Sequence, residues 1–233
     1  EPFDMINKFG ADTLRLALVS IASPDKDTIW DEKVVLGSHK FLEKVFDYFS
    51  NLNLGKSDMV IENKLNKTIK EVTEDIDNFK HNIAVIKIRQ LFESFEEKQI
   101  DKKIAENFLK ILNIYCPYIT EELWEMLGNK SFISLSEWPK AGKIDENLLK
   151  QGELIDKIVG DINNILKILT SKGEIKTKVK IFSIPNELKI YENGVKEIEK
   201  RVNLKVEVLS IKDASSEKKV IKAKPNKPGI LLE

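Results

Sequence analysis

The sequence has one cysteine, Cys116, and two histidines, His39 and His81, among 233 residues. A lone thiol cannot close an internal disulfide, and with two imidazoles beside it no Cys/His ligand spacing for zinc can be assembled. Long apolar runs are missing as well. The longest, Leu14 to Ala22, is broken by Arg15 and Ser20 and falls well short of the roughly 20 residues that span a bilayer. No transmembrane helix is expected. Glycine-rich phosphate loops, a Gly-x-Ser-x-Gly elbow and paired histidine ligands are absent, so no catalytic and no metal-binding residue can be named from motif chemistry. The chain opens on Glu-Pro-Phe-Asp without the charged-then-apolar profile of a signal peptide. It is expected to be a piece of a longer cytosolic, cytoplasmic protein.

What is present is 42% hydrophobic and 33% charged residues, with 38 basic side chains against 38 acidic ones. At roughly 100–200 residues per domain, this allows one large domain or one domain with a small appendage. The neutral total hides two opposite halves. From Ser171 to the end there are 15 basic and 9 acidic side chains, and residues 1–170 hold the other 23 and 29. A basic tail behind an acidic body suits phosphate neutralisation at one end of the molecule, and equally suits a solvated lysine-rich surface.

Periodicity predicts helices over most of the chain. Asp12 is placed to cap a short helix through Leu14, Leu16 and Leu18, and Asp31 a second with Val34, Phe41, Val45, Phe49 and Leu52 at helical spacing. Leu65, Ile69, Val72, Ile76, Phe79 and Ile83 step by fours and threes and share one face of a long helix, unless Asn82 ends it and caps the next. Ile83 to Phe95 and Asp101 to Tyr115 continue the pattern until Pro117 interrupts it; Thr120 to Leu127 then stops at Gly128. Phe132 to Pro139 reads as an extended strap that packs Trp138 on the bundle, and Ile155 to Leu169 as another helix ended by Gly173. Beyond it the period changes: Val179 to Ile184 is strand-like, Tyr191 to Val202 helical, and Leu204 to Leu209 alternates as a strand. Val220-Ile221 and Ile230-Leu231-Leu232 are two further short strands. The fold class expected is mainly α, an antiparallel helical bundle followed by a small α/β module.

Few side chains suggest chemistry. His81 reads as a partly exposed polar histidine, Cys116 as a small buried core residue, and Glu121-Glu122 as favourable charges near a helix N-terminus. Trp124 and Ile76 each fall on an apolar stripe and are expected in the core.

Several stretches together resemble the C-terminal half of class I aminoacyl-tRNA synthetases of the leucyl/valyl/isoleucyl group. Lys8-Phe-Gly-Ala-Asp-Thr-Leu-Arg-Leu16 resembles the "YGADTLRL" helix of these enzymes, and Ser23-Pro24 through Ile29-Trp30 their connection into the helical domain. Pro117-Tyr-Ile-Thr-Glu-Glu-Leu-Trp124 with Gly128, followed by Trp138-Pro139, resembles the "PHxxEELWxxLG … WP" end of that domain. Ile29-Trp30 resembles the leucyl "LEW", and Lys224-Pro-Asn-Lys-Pro-Gly-Ile-Leu-Leu-Glu233 resembles the "PxKPxIxxE" terminus of archaeal-type leucyl enzymes. A valyl or isoleucyl enzyme, and a non-enzymatic helical scaffold or assembly subunit, are the rival readings.

The resemblance implies a stem-contact or linker helix over 1–28, an anticodon-binding-type bundle over 29–144, a connecting helix over 145–170 and a basic tRNA-binding module over 171–233. It implies tRNA-Leu as partner, through its long variable arm, together with the catalytic and editing domains of the same enzyme, in cis or as a split subunit; no membrane is involved. Lys218, Lys219, Lys222, Lys224 and Lys227 would hold phosphates, and the backbone groups of Leu232 and Glu233 would meet base edges. No cofactor is implied for this segment, whereas ATP with Mg would serve the full-length enzyme. The segment alone is expected to be catalytically inactive.

Overall fold

Among the described residues, the helical periodicity of the first 128 residues is realised as seven helices: α1 (Pro2–Phe9), α2 (Ala11–Ile21), α3 (Glu32–Ser50), α4 (Met59–Asp77), α5 (His81–Glu93), α6 (Lys102–Asn113) and α7 (Pro117–Met126). The computed structural model describes residues 2–27, 29–95, 98–212 and 223–233. It divides into two units, Glu1–Asp145 and Glu146–Glu233. Asp31, Asp58 and Asp101 cap α3, α4 and α6, their carboxylates accepting from Lys33 N, Ile61 N and Ile104 N. Pro117 stands in the first turn of α7, where its missing amide costs nothing, and Gly128 at φ 85° ends the segment in the left-handed region.

The core of the first unit is aromatic at its centre. Phe108 is fully buried, with the rings of Phe49, Phe92 and Phe95 at 5.8, 5.7 and 5.3 Å. Trp124 is buried and its indole N–H donates to the Ser131 carbonyl at 2.8 Å, while Ile76 is half-buried at the edge of the same core. Trp138 packs on this cluster as the strap reading expects and donates to Thr73 Oγ1 at 2.9 Å; the strap itself contains one 3-10 turn, Ile133–Leu135.

Several expectations are corrected. Within the 1–28 segment, Leu16 of α2 belongs to the same buried cluster as Phe41 and Phe92. The long series from Leu65 stops at Asp77, and Phe79, at φ 56° and 70% exposed, turns the chain into α5 instead of continuing the stripe. Asn82 lies inside α5, whose N-cap is Lys80. The Glu121 carboxylate accepts from Ile133 N and Ser134 N, so it caps the 3-10 turn after α7.

Asp12 does not cap its own helix, whose N-cap is Gly10 at φ 84°. Its Oδ2 instead accepts the Ile119 amide at 2.8 Å, satisfying an open donor in the first turn of α7 from 107 residues away. Burial raises the Asp12 carboxyl above its ordinary 3.8, against the amides of Ile119 and Tyr118 and the Arg15 guanidinium. A raised native-state value means that this group's contribution to stability is present below 3.8 and is lost as pH rises through the raised value. Asp12→Asn should therefore lose less stability than the parent on going from pH 3.8 to neutral, as read from urea midpoints at successive pH values. Parallel curves would show that Asp12 does not titrate in this window.

The second unit is built from α8 (Glu146–Ser171), β1 (Lys178–Ser183), α9 (Pro185–Val202), β2 (Lys205–Ser210) and β3 (Gly229–Leu232). The strand order is β2-β1-β3, with β1 parallel to β2 across the α9 crossover and antiparallel to β3. Its core joins Leu154, Ile155, Ile158 and Ile162 of α8 to Val179, Ile181, Tyr191 and Ile198. The helix read as a connector over 145–170 is therefore a structural layer of this unit. The α9 helix starts six residues before Tyr191, because Pro185 supplies a preset first turn. The proposed Val220-Ile221 strand lies outside the described residues.

Candidate nucleic-acid interface

The α8 and α9 core covers one face of the sheet and leaves the opposite face to Lys178, Lys180, Lys205 and Glu207, which alternate with the buried Val179 and Ile181. Two of these lysines are already engaged. Lys178 pairs with Glu207, and Lys180 Nζ reaches Glu233 Oε1 at 2.6 Å. The Lys178 pairing and the Lys180 neighbour hold the Glu207 carboxyl below its ordinary range. Cations held this way offer a phosphate less than free ones.

The residues implied by the resemblance fall in three groups. Lys218, Lys219 and Lys222 lie outside the described residues. Lys224 and Lys227 flank the Pro225-Asn226 turn, exchanging backbone hydrogen bonds of 2.9 Å in each direction. That turn is held from two helices. Asn226, at φ 59°, donates its amide to Glu187 Oε1 of α9, and Lys157 of α8 donates to the Asn226 carbonyl. Both lysine side chains are exposed on it. A rigid turn that carries two exposed ammonium groups can fix two phosphates at little ordering cost.

Leu232 and Glu233 are brought together with β1, and they differ from each other. Glu233 exchanges backbone hydrogen bonds with Lys178, donating to its carbonyl at 2.8 Å and accepting from its amide at 3.2 Å, and also accepts from the Thr177 amide. Its N–H and carbonyl oxygen are thus engaged by the sheet. Leu232 stands opposite Val179, at the alternate position of the antiparallel ladder, so its N–H and C=O point away from β1. Among the described residues β3 is an edge strand, and these groups face its open side.

In the first unit a groove of about 1010 Å³ lies at the N-terminal ends of α2 and α7, bordered by Phe9, Asp12, His39, Lys40, Lys44 and Tyr118. The Arg15 guanidinium sits 5.5 Å over the exposed Tyr118 ring. Cys116 is fully buried and desolvation pushes its thiol far above the ordinary range, so it stays protonated. His81 Nδ1 lies 3.0 Å from the Tyr115 hydroxyl in a half-buried pair at the start of α5. Among the described residues no group of three His, Cys, Asp or Glu side chains could hold a metal ion.

Residues 58–181, more than half of the chain, match a family model described as the anticodon-binding domain of tRNA ligase. The chain is similar to leucine–tRNA ligases. That of Thermosipho melanesiensis is 31% identical over 202 residues, covering 75% of this chain and 24% of the relative. That of Fervidobacterium nodosum is 30% identical over 217 residues, covering 83% and 25%. That of Petrotoga mobilis is 28% identical over 239 residues, covering 90% and 28%. The chain thus spans about a quarter of the length of these curated relatives. Among solved structures, a LeuRS–tRNA–LeuAMS ternary complex of Agrobacterium radiobacter shares the fold, with a TM-score of 0.51 over 90% of this chain and 29% of that one, at 16% identity.

Proposed function

Because the chain belongs to the anticodon-binding-domain family of tRNA ligases, we propose that it is the tRNA-holding C-terminal portion of a leucine–tRNA ligase. The observation that carries this reading is that likeness to leucine–tRNA ligases runs through both units, reaching 90% of the chain in one relative. A helical scaffold without a nucleic-acid partner would not need the second unit's free lysines. In the proposal, an upstream catalytic domain, joined in cis or as a separate subunit and accompanied by the editing domain, activates leucine with ATP and Mg. This chain binds and orients tRNA-Leu and performs no catalytic step. Binding energy realised far from the reacting ester then positions the acceptor end.

The second unit is the reading device. Lys224 and Lys227 hold the phosphates of the long variable arm, and the outward backbone groups of Leu232 meet bases at its tip, where unpaired RNA is most readable. The setting is the cytoplasm. No helix among the described residues is long and apolar enough to cross a membrane. Competition at fixed salt tests the reading: unlabelled tRNA-Leu should displace labelled tRNA-Leu from the chain at lower concentration than a short-arm tRNA does. Equal displacement would remove the variable arm from the account.

A further inference from the structure

We infer that the outward face of α9 is the phosphate track of the second unit, a surface for the sugar–phosphate backbone of a paired tRNA segment. The inference rests on the reading of the chain as a tRNA-holding module and locates an interaction which that reading leaves open. Lys189, Asn193, Lys196 and Lys200 recur at intervals of four, three and four residues, and all four are exposed. Those intervals place them on one side of the helix. At about 1.5 Å per residue the three lysines extend over roughly 16 Å. A nucleic-acid duplex carries about one charge per 1.7 Å of axis, so that span meets more phosphates than there are lysines to face them.

The charges on this face are available, unlike Lys178 and Lys180 of the sheet. Lys178 is paired with Glu207 and Lys180 with Glu233, and Lys157 is committed to the Asn226 carbonyl. On α9 the acidic side chains close to the lysines are drawn elsewhere: Glu197 to Arg201, and Glu199 to the Val206 amide. Glu192 alone stands exposed at the flank of the stripe. Lys189, Lys196 and Lys200 keep no ion-pair partner among the described residues, so binding a phosphate there breaks no internal ion pair. The Asn193 amide between them adds a donor and an acceptor suited to a phosphate oxygen or a ribose 2′-hydroxyl. The opposite side of α9 is closed by Tyr191, Ile198 and Val202 in the core, which fixes the direction of the stripe.

The test is a salt titration of tRNA-Leu binding to the full chain, for the parent, for the variant Lys189→Gln/Lys196→Gln/Lys200→Gln, and for a control of equal net charge, Lys172→Gln/Lys178→Gln/Lys180→Gln. Each phosphate deprived of its lysine should flatten the slope of log K against log salt by about 0.7–0.9, so the α9 variant should flatten it by about 2–3. Its affinity at 100 mM salt should fall roughly tenfold to a hundredfold. The single variant Lys196→Gln should show about one third of the slope change, which guards against a loss caused by misfolding. An unchanged slope in the α9 variant, or an equal change in the control, would overturn the inference while the parent's binding kept the tRNA-holding reading alive. Absence of binding by the parent itself would end both.

Discussion

Replacing Phe108 with alanine is expected to cost the first unit about 3–5 kcal/mol, a large part of the roughly 5–15 kcal/mol by which a domain of ordinary size is stable. Phe108 is fully buried and meets Phe49 nearly ring-parallel, at 17°, and Phe95 edge-on, at 73°. The cavity would open where α3, α5 and α6 share aromatic side chains, and the flanking rings, themselves wedged against Tyr48 and Phe41, have little freedom to collapse into it. All three tryptophans, Trp30, Trp124 and Trp138, belong to this unit. The loss should therefore show as a lower urea midpoint in tryptophan fluorescence. An unchanged midpoint would mean that the aromatic cluster is not the core of the unit.

Tyr191 plays the corresponding part in the second unit and makes a sharper pair of predictions. Among the described residues it is the largest fully buried side chain, and its hydroxyl has no hydrogen-bond partner there. Burial, with Glu187 and Asp161 adding to it, pushes the phenol up to about 12. Tyr191→Ala should cost about 3–5 kcal/mol, a large part of the stability of a unit that is stable by on the order of 0.05–0.15 kcal/mol per residue. Tyr191→Phe removes only the unpaired hydroxyl and should be neutral or stabilising. Far-UV circular dichroism should report the helix of α8 and α9 lost at lower urea in the alanine variant than in the parent, with the tryptophan transition left in place. A destabilised phenylalanine variant would show that the hydroxyl has a partner after all.

The helical unit was legible because its signals are local. Asp31 and Asp101 sit one residue before helices with strong apolar stripes, and Pro117 and Gly128 punctuate α7 in the way their backbone chemistry dictates. The misses come from interactions that cross the sequence. Asp12 has the spacing of an N-cap, yet its carboxylate is spent on Ile119, in a helix that only the tertiary fold brings near. In α3 the buried member of the Val34-Val35 pair is Val35, because the face is set by the neighbouring helices and not by a single stripe of its own.

The basic second unit was legible as a charge excess, whereas the surface proposed on it was not. Counting lysines cannot show that Lys178 and Lys180 are paired across strands, since those pairs depend on the register of β1 with β2 and with the chain end. The α9 stripe was hidden for a related reason. Reading the helix from Tyr191 onward leaves out Lys189, and only the start at Pro185 puts all three lysines on one helix. The opposite behaviour of Leu232 and Glu233 likewise follows from hydrogen-bond alternation in an antiparallel ladder, which a sequence pattern does not number.

The central claim, that this chain holds tRNA through free cations on a small basic unit, is tested most directly by titrating the intact chain with a tRNA-Leu transcript from roughly 50 to 200 mM salt. The account predicts a complex at the low end of that range whose log affinity falls linearly with log salt. No complex at the lowest salt, or an affinity that stays level across the range, would contradict it.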